Sequence, residues 1–281
     1  MRIFKTVMGI LVEHEAHLYT SEQKDWDAYI NRDDLYAAIL KEISGLQPAW
    51  TEDWAAVPAS QAPIGSQEVW AAGVTYKRSK AARMEESKES GAATFYDMVY
   101  EAERPELFFK ATAQRVMGTG EPLRIRADST WNVPEPELTL LVTSSGKIVG
   151  YTIGNDMSSR SIEGENPLYL PQAKVYERCA GLGPCILVAQ SPLPPSTEIY
   201  MRIMREEKIA FEGMVPISAM KRDHAELVAY LYRECAFPKG CFLMTGTGVV
   251  PPADFTLQPR DIVIIRITGI GELTNVIELP G

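Results

Sequence analysis

Apolar and polar positions change rhythm along this chain. In the first 67 residues, short apolar runs at 2–9 and 15–19 predict two strands. Leu35, Ile39 and Ile43 recur every four residues. That spacing predicts a helix over 31–43, with Asn31 or Asp33 as its cap and Gly45 as its stop. The Pro- and Ala-rich stretch 47–66 reads as a linker, with a boundary near Gly65. The chain thus divides into a small N-terminal domain, 1–67, and a larger one, 68–281. From Glu68 onward short apolar runs predict strands at 69–76, 106–112, 121–126, 138–142, 148–153, 184–190, 261–268 and 275–279. Residues 198–213 alternate around a tight turn, as a hairpin does, and 241–252 is an apolar strand running into a Gly/Thr loop. Asp223 and Glu226 form a capping box that opens a helix over 223–235, with Leu227, Tyr230 and Leu231 on one face. Two stretches stand out as polar. Residues 77–106 are charged and helix-prone, too poor in apolar side chains for a deep element. Residues 157–179 read as a long irregular loop, and such loops inside a domain are commonly functional. The pattern is an α+β fold, mostly β, without internal repeats.

Composition changes this picture only by exclusion. With 46% apolar and 23% charged residues, the chain is an ordinary globular one. A net charge of -9 removes nucleic acid as a general partner, because phosphate binding needs a basic surface. No apolar run approaches a membrane span, and the first twenty residues lack a signal-peptide pattern. Cys179, Cys185, Cys235 and Cys241 show no C-x-x-C spacing, so reduced thiols in a cytoplasmic protein are expected. His14, His17 and His224 share no ligand spacing, and His224, in the first turn of its helix, is expected to be exposed. Nucleophile-elbow, P-loop and dinucleotide motifs are missing.

Candidate chemistry gathers at 131–156. Pro136 keeps its neighbours extended, so Glu135 and Glu137 point to the same side. Strands 138–142 and 148–153 with a turn at Ser145-Gly146 bring Asp156 opposite Glu135. Three carboxylates then converge at the open end of one hairpin, and an oxygen-only set of this kind suits Mg²⁺, with Mn²⁺ or Ca²⁺ as alternatives. A lone E-x-E would describe a solvated hairpin mouth equally well. Asp156 tips the reading towards a metal. Lys174, at the end of the polar stretch, can bind a substrate carboxylate or keto oxygen, or act as a base. Glu106 opens a strand and can project into a cleft. Thr245, Gly246 and Thr247 place hydroxyls and a free amide at a strand end, suited to carboxylate or oxyanion contact.

Taken in order, A-G-V-T-Y (72–76), E-x-E (Glu135, Glu137), G-N-D-M-S-S-R (154–160), Lys174 ahead of G-L-G-P, T-G-T (245–247) and I-x-G-I-G-E-L-x-N resemble the fumarylacetoacetate hydrolase superfamily over residues 68–280. The resemblance implies a mixed β-roll, usually dimeric. It implies Mg²⁺ on Glu135, Glu137 and Asp156, and an appended variable N-terminal domain. One departure is informative. Hydrolytic members resemble G-x-N-Y-x-x-H-x-x-E, whereas here Ser79 stands for the His and Ala82 for the Glu. With 162–174 and 245–252, this pattern is similar to the 2-keto-3-deoxy sugar acid dehydratases, nearest to the arabinonate type. By that resemblance Lys174 and Glu106 share the acid and base roles, in either order. A 2-keto-3-deoxypentonate then loses water through a cation-stabilised enolate to give 2,5-dioxopentanoate. Arg83 is a candidate for the distal hydroxyls, and a homodimer or homotetramer is implied. The alternatives are an acylpyruvate or diketo-acid hydrolase or an oxaloacetate decarboxylase of the same fold, and a non-catalytic binding domain.

Overall fold

A computed structural model describes residues 1–49, 60–78 and 98–280. Among them, one sheet of ten strands runs in the order His17–Thr20, Gly9–His14, Arg2–Thr6, Ala180–Val188, Ile148–Asp156, Pro136–Val142, Cys241–Met244, Glu68–Gly73 and Glu106–Thr112. Val116–Met117 joins it alongside Ala180–Val188. Most neighbours are antiparallel, but Cys241–Met244 runs parallel to Glu68–Gly73, so the sheet is mixed. A second sheet of five strands runs Lys208–Pro216, Glu198–Arg205, Ile262–Ile267, Gly271–Glu278 and Leu123–Arg124. The α+β, mostly β class expected from the sequence is the class observed.

Period-2 alternation explains the layering. Leu138, Leu140 and Val142 face one way and pack with Ile199, Met201, Ile203, Val263, Ile265 and Leu273 of the smaller sheet. Leu141, on the opposite face, joins Leu35, Ile39 and Ile43 of the helix Leu35–Ile43, with Ile3, Val12 and Phe242. The central hairpin is therefore covered on both faces, and all of Pro136–Val142 is buried.

Arg2–Thr6 pairs with Ala180–Val188 through Arg2↔Leu187 and Ile3↔Ile186. The expected division at residue 67 thus crosses a continuous sheet. Gly9–His14 is an additional strand whose following turn carries no sequence signal, because Glu15 and Ala16 adopt positive φ there in place of the usual glycine or asparagine. The helix expected over 31–43 is observed as Leu35–Ile43, and a separate short helix, Trp26–Ile30, precedes it. Asn31 and Asp33 make a tertiary latch in place of the expected cap. Ser144 N–H donates to Asn31 Oδ1 at 2.8 Å, and the Thr143 and Ser145 hydroxyls donate to Asp33 Oδ1 at 2.6 and 2.7 Å. The latch holds the turn of the central hairpin. The polar stretch 157–179 is likewise not irregular. It holds the short helices Arg160–Glu165 and Leu170–Lys174. Pro171 sits in the first turn of Leu170–Lys174, and Pro167 opens a separate one-turn 3-10 segment, Pro167–Tyr169; at both places the missing N–H does no harm. Helix His224–Leu231 buries Leu227, Val228 and Leu231. His224 is half-buried instead of exposed, and burial lowers its pKa.

Hydrogen bonds from Thr143 and then Ser145 hold the Asp33 carboxyl below its usual range. A depressed folded-state pKa stabilises above the ordinary carboxylate range, and that contribution fades as pH falls through the lowered value. Asp33→Ala is therefore expected to cost about 1 kcal/mol near neutral pH, discounted for exposure. The melting-temperature gap to wild type should stay constant above about pH 5 and shrink as pH falls below about 4, through the lowered value. A pH-independent gap in thermal scans would rule the latch out.

Candidate active site

The central hairpin builds the site. Its register pairs Gly154 with Glu137 and Asn155 with Pro136, after a one-residue shift between Ile148 and Gly150. Asp156 N–H then donates to the Glu135 carbonyl at 2.9 Å. One carboxylate oxygen from each of Glu135, Glu137 and Asp156 lies within 4.8 Å of those of the other two, and all three residues are buried. Buried like charges are unstable without compensation. Glu137 shows the strain. Burial, then Asp156 and Glu135, push its carboxyl well above the usual range, against a 2.5 Å hydrogen bond from Gly246 N–H. At Asp156 burial also opposes charge, but Lys110 and Lys174 outweigh it and hold the carboxyl low.

Lys174 ends the helix Leu170–Lys174 and is 1% exposed. Its Nζ donates to Glu135 Oε2 at 2.5 Å, Ser158 Oγ at 2.5 Å and Asp156 Oδ2 at 3.2 Å, and lies 3.3 Å from Glu163 Oε1. The Phe108 ring lies 5.5 Å from the same ammonium. Arg160 donates to Glu135 Oε1 at 2.8 Å, and Lys110 Nζ meets Asp156 Oδ1 at 2.6 Å. Among the described residues, four buried acids (Glu135, Glu137, Asp156, Glu163) thus face three buried bases (Lys110, Arg160, Lys174). With every one of these groups ionised, one negative charge remains, or two when half-buried Glu106 is included. A divalent cation would neutralise that residue. The donor set is oxygen only, as Mg²⁺ prefers. The cavity between the three acids, Lys174, Thr247 and the 72–74 backbone has about 10 Å³ of open space, on the scale of one water or ion. The residues present fit such a cation.

Glu106 opens the strand Glu106–Thr112 opposite Gly73. Its carboxylate lies in the space a Cβ at Gly73 would take, so a side chain there would displace the carboxylate. Of the T-G-T triplet, Thr247 lines the cavity. The Thr245 hydroxyl donates to the Leu138 carbonyl at 2.8 Å, and the Gly246 amide is taken by Glu137, so neither is directed at a ligand. Arg83, with Ser79 and Ala82, lies outside the described residues. Lys110 and Glu163 were not singled out from the sequence, and Ser158 and Arg160 entered only as members of the 154–160 motif, without a role. A lysine inside the apolar run ELFFKAT was the available signal for the first of them.

Residues 68–278 match the fumarylacetoacetate (FAA) hydrolase C-terminal family. The chain belongs to this family. It is 45% identical over 244 residues to a probable 2-keto-3-deoxyxylonate dehydratase of Haloferax volcanii, across 86% of this chain and 81% of that one. It is also 45% identical over 213 residues to a 2-dehydro-3-deoxy-D-arabinonate dehydratase of Saccharolobus solfataricus, across 75% and 72% of the two chains. Among solved structures, it is similar to 2-keto-3-deoxy-D-arabinonate dehydratase complexed with magnesium and 2,5-dioxopentanoate. That match has a TM-score of 0.85 and 34% identity, and covers 100% of this chain and 99% of the other.

Lys174→Met would leave Glu135, Asp156 and Glu163 facing one another without their shared ammonium. Removing one partner of a buried ion pair costs about 3–5 kcal/mol, which should appear as a lower urea midpoint at an unchanged m-value. An unaltered midpoint would show that Lys174 does not compensate the cluster.

Proposed function

We propose that the protein is a Mg²⁺-dependent lyase that dehydrates a 2-keto-3-deoxy sugar acid, converting 2-keto-3-deoxypentonate to 2,5-dioxopentanoate. The observation that carries this reading is the meeting of Glu135, Glu137 and Asp156 around a space for one ion, beside Lys174. The relatives at 45% identity, named as dehydratases, support it, as does the solved dehydratase with magnesium and 2,5-dioxopentanoate. Glu135, Glu137 and Asp156 hold the cation. When bound, it supplies a Lewis acid that polarises the 2-keto group and acidifies C3–H.

Proton movement falls to Lys174 and Glu106. Lys174, an ammonium braced by Glu135 and Ser158, suits donation to the leaving C4 hydroxyl. Glu106, a half-buried carboxylate over Gly73, suits removal of the C3 proton. Loss of that proton and of the C4 hydroxyl releases one water. A proton shift from C5 to C3 then leaves an enol that tautomerises to the C5 aldehyde. Each well-placed acid or base contributes about 10²–10⁴ in rate. Thr247, which lines the cavity, is the member of its triplet whose position supports a substrate contact. The departure at Ser79 and Ala82 from the hydrolytic pattern supports elimination over carbon–carbon hydrolysis. The family resemblance supports a homodimer or homotetramer. The four free cysteines fit a reducing, cytoplasmic setting, and no helix among the described residues is long and apolar enough to cross a membrane.

Purified protein with Mg²⁺ and a 2-keto-3-deoxypentonate should yield 2,5-dioxopentanoate, and EDTA or Glu137→Gln should abolish it. Glu106→Gln should lower kcat by about 10²–10⁴ with little change in KM. Release of pyruvate from an acylpyruvate, without any dehydration product, would sink the reading.

A further inference from the structure

Lys110 takes no part in the chemistry above, yet it is the most enclosed charge at the site, with 0% exposure. It lies at a bulge. Trp70 pairs with Phe109 and Val69 with Ala111, so Lys110 is the extra residue on its strand. Bulges re-aim side chains next to active sites, and this one sends the ammonium beneath Asp156. Its Nζ meets Asp156 Oδ1 at 2.6 Å and donates to the carbonyls of Met157 and Lys174 at 2.8 and 2.5 Å. Two carbonyl hydrogen bonds hold the ammonium in place against Asp156, with which it forms a close ion pair.

The same economy of oxygens holds for the other two acids. Arg160 takes Glu135 Oε1 while Lys174 and Ser158 take Oε2, and Gly246 N–H takes Glu137 Oε2. Protein donors therefore limit how many oxygens the cluster can turn towards an ion. Ca²⁺ gathers about 6–8 oxygens, commonly with bidentate carboxylates, whereas Mg²⁺ takes about six at near-octahedral angles and keeps positions for water or substrate.

We propose that Lys110 is a cation-selectivity residue: by pairing with Asp156 Oδ1 at 2.6 Å, while Lys174 lies 3.2 Å from Oδ2, it keeps that carboxylate from offering both oxygens to one ion, which favours Mg²⁺ and disfavours Ca²⁺. Arg160 acts in the same sense on Glu135. This rests on the reading of the acid cluster as a cation site. It assigns a function to a lysine that touches neither the substrate nor the reacting atoms.

The test is the ratio of Mg²⁺ to Ca²⁺ dissociation constants, measured by titration calorimetry on the full chain with the metal alone. Wild type should prefer Mg²⁺. Lys110→Met frees Oδ1 and should shift the ratio towards Ca²⁺ by roughly tenfold, while Lys110→Arg, which keeps a donor on Oδ1, should stay near wild type. Arg160→Met should shift the ratio in the same direction, and it carries the test if circular dichroism shows Lys110→Met to be unfolded. Wild type binding Ca²⁺ as tightly as Mg²⁺ overturns the proposal. So does a folded Lys110→Met, or in its place a folded Arg160→Met, with an unchanged ratio. If wild type binds neither cation, the cation site itself falls, which is a different failure from an unchanged ratio in a protein that binds Mg²⁺.

Discussion

Three carboxylates buried within 4.8 Å of one another repel, and the surrounding structure answers that repulsion. At an effective dielectric of about 20, each like-charge pair at about 4 Å costs about 4 kcal/mol. Three such pairs would rival the whole stability of a domain, which is about 5–15 kcal/mol. The cluster persists because Lys110, Lys174 and Arg160 are buried with it, each within hydrogen-bond reach of a carboxylate oxygen. The bases stop short of full neutrality, and the residual negative charge is what a divalent ion would meet.

Holding such groups in place demands a rigid support, and the layering supplies it. The hairpin carrying all three acids is packed on one face against the smaller sheet and on the other against the N-terminal helix and strands. Its turn is tied down by Asn31 and Asp33. The N-terminal 67 residues are thereby joined to the site through the sheet and the latch, although the family match begins only at residue 68. The compensating bases come from other elements: Lys110 from a bulged edge strand, Lys174 and Arg160 from two short helices. Rotating any of these elements would change the charge balance before it changed the fold.

Much of this was legible in local pattern. The strands and the mostly-β class followed from period-2 alternation, and the convergence of Glu135, Glu137 and Asp156 followed from one proline and hairpin counting. These are short-range rules, and hairpin register depends on neighbours within about twenty residues. Reading failed where a residue's local signal was overridden by distant contacts. Asn31 and Asp33 looked like helix caps but are used across the fold. The polar stretch 157–179 looked irregular but holds two short helices, one with Pro171 in its first turn. Lys110 was hidden in an apolar strand, because a buried lysine is tolerated only where its partners are, and those partners lie 46 residues or more along the chain.

By itself, then, the sequence determined the elements, the acid triad and its likeness to a family of 2-keto acid enzymes. Alternation, proline geometry and motif spacing are all written in adjacent residues. Only the tertiary structure decided how the charges of that triad are balanced and which of its oxygens stay available. Lys174 reaches Glu135 across 39 residues, and Lys110 reaches Asp156 through a bulge no periodicity announces. Buried electrostatics depends on distance in space, and the chain brings those distances about only once both sheets and their helices have packed.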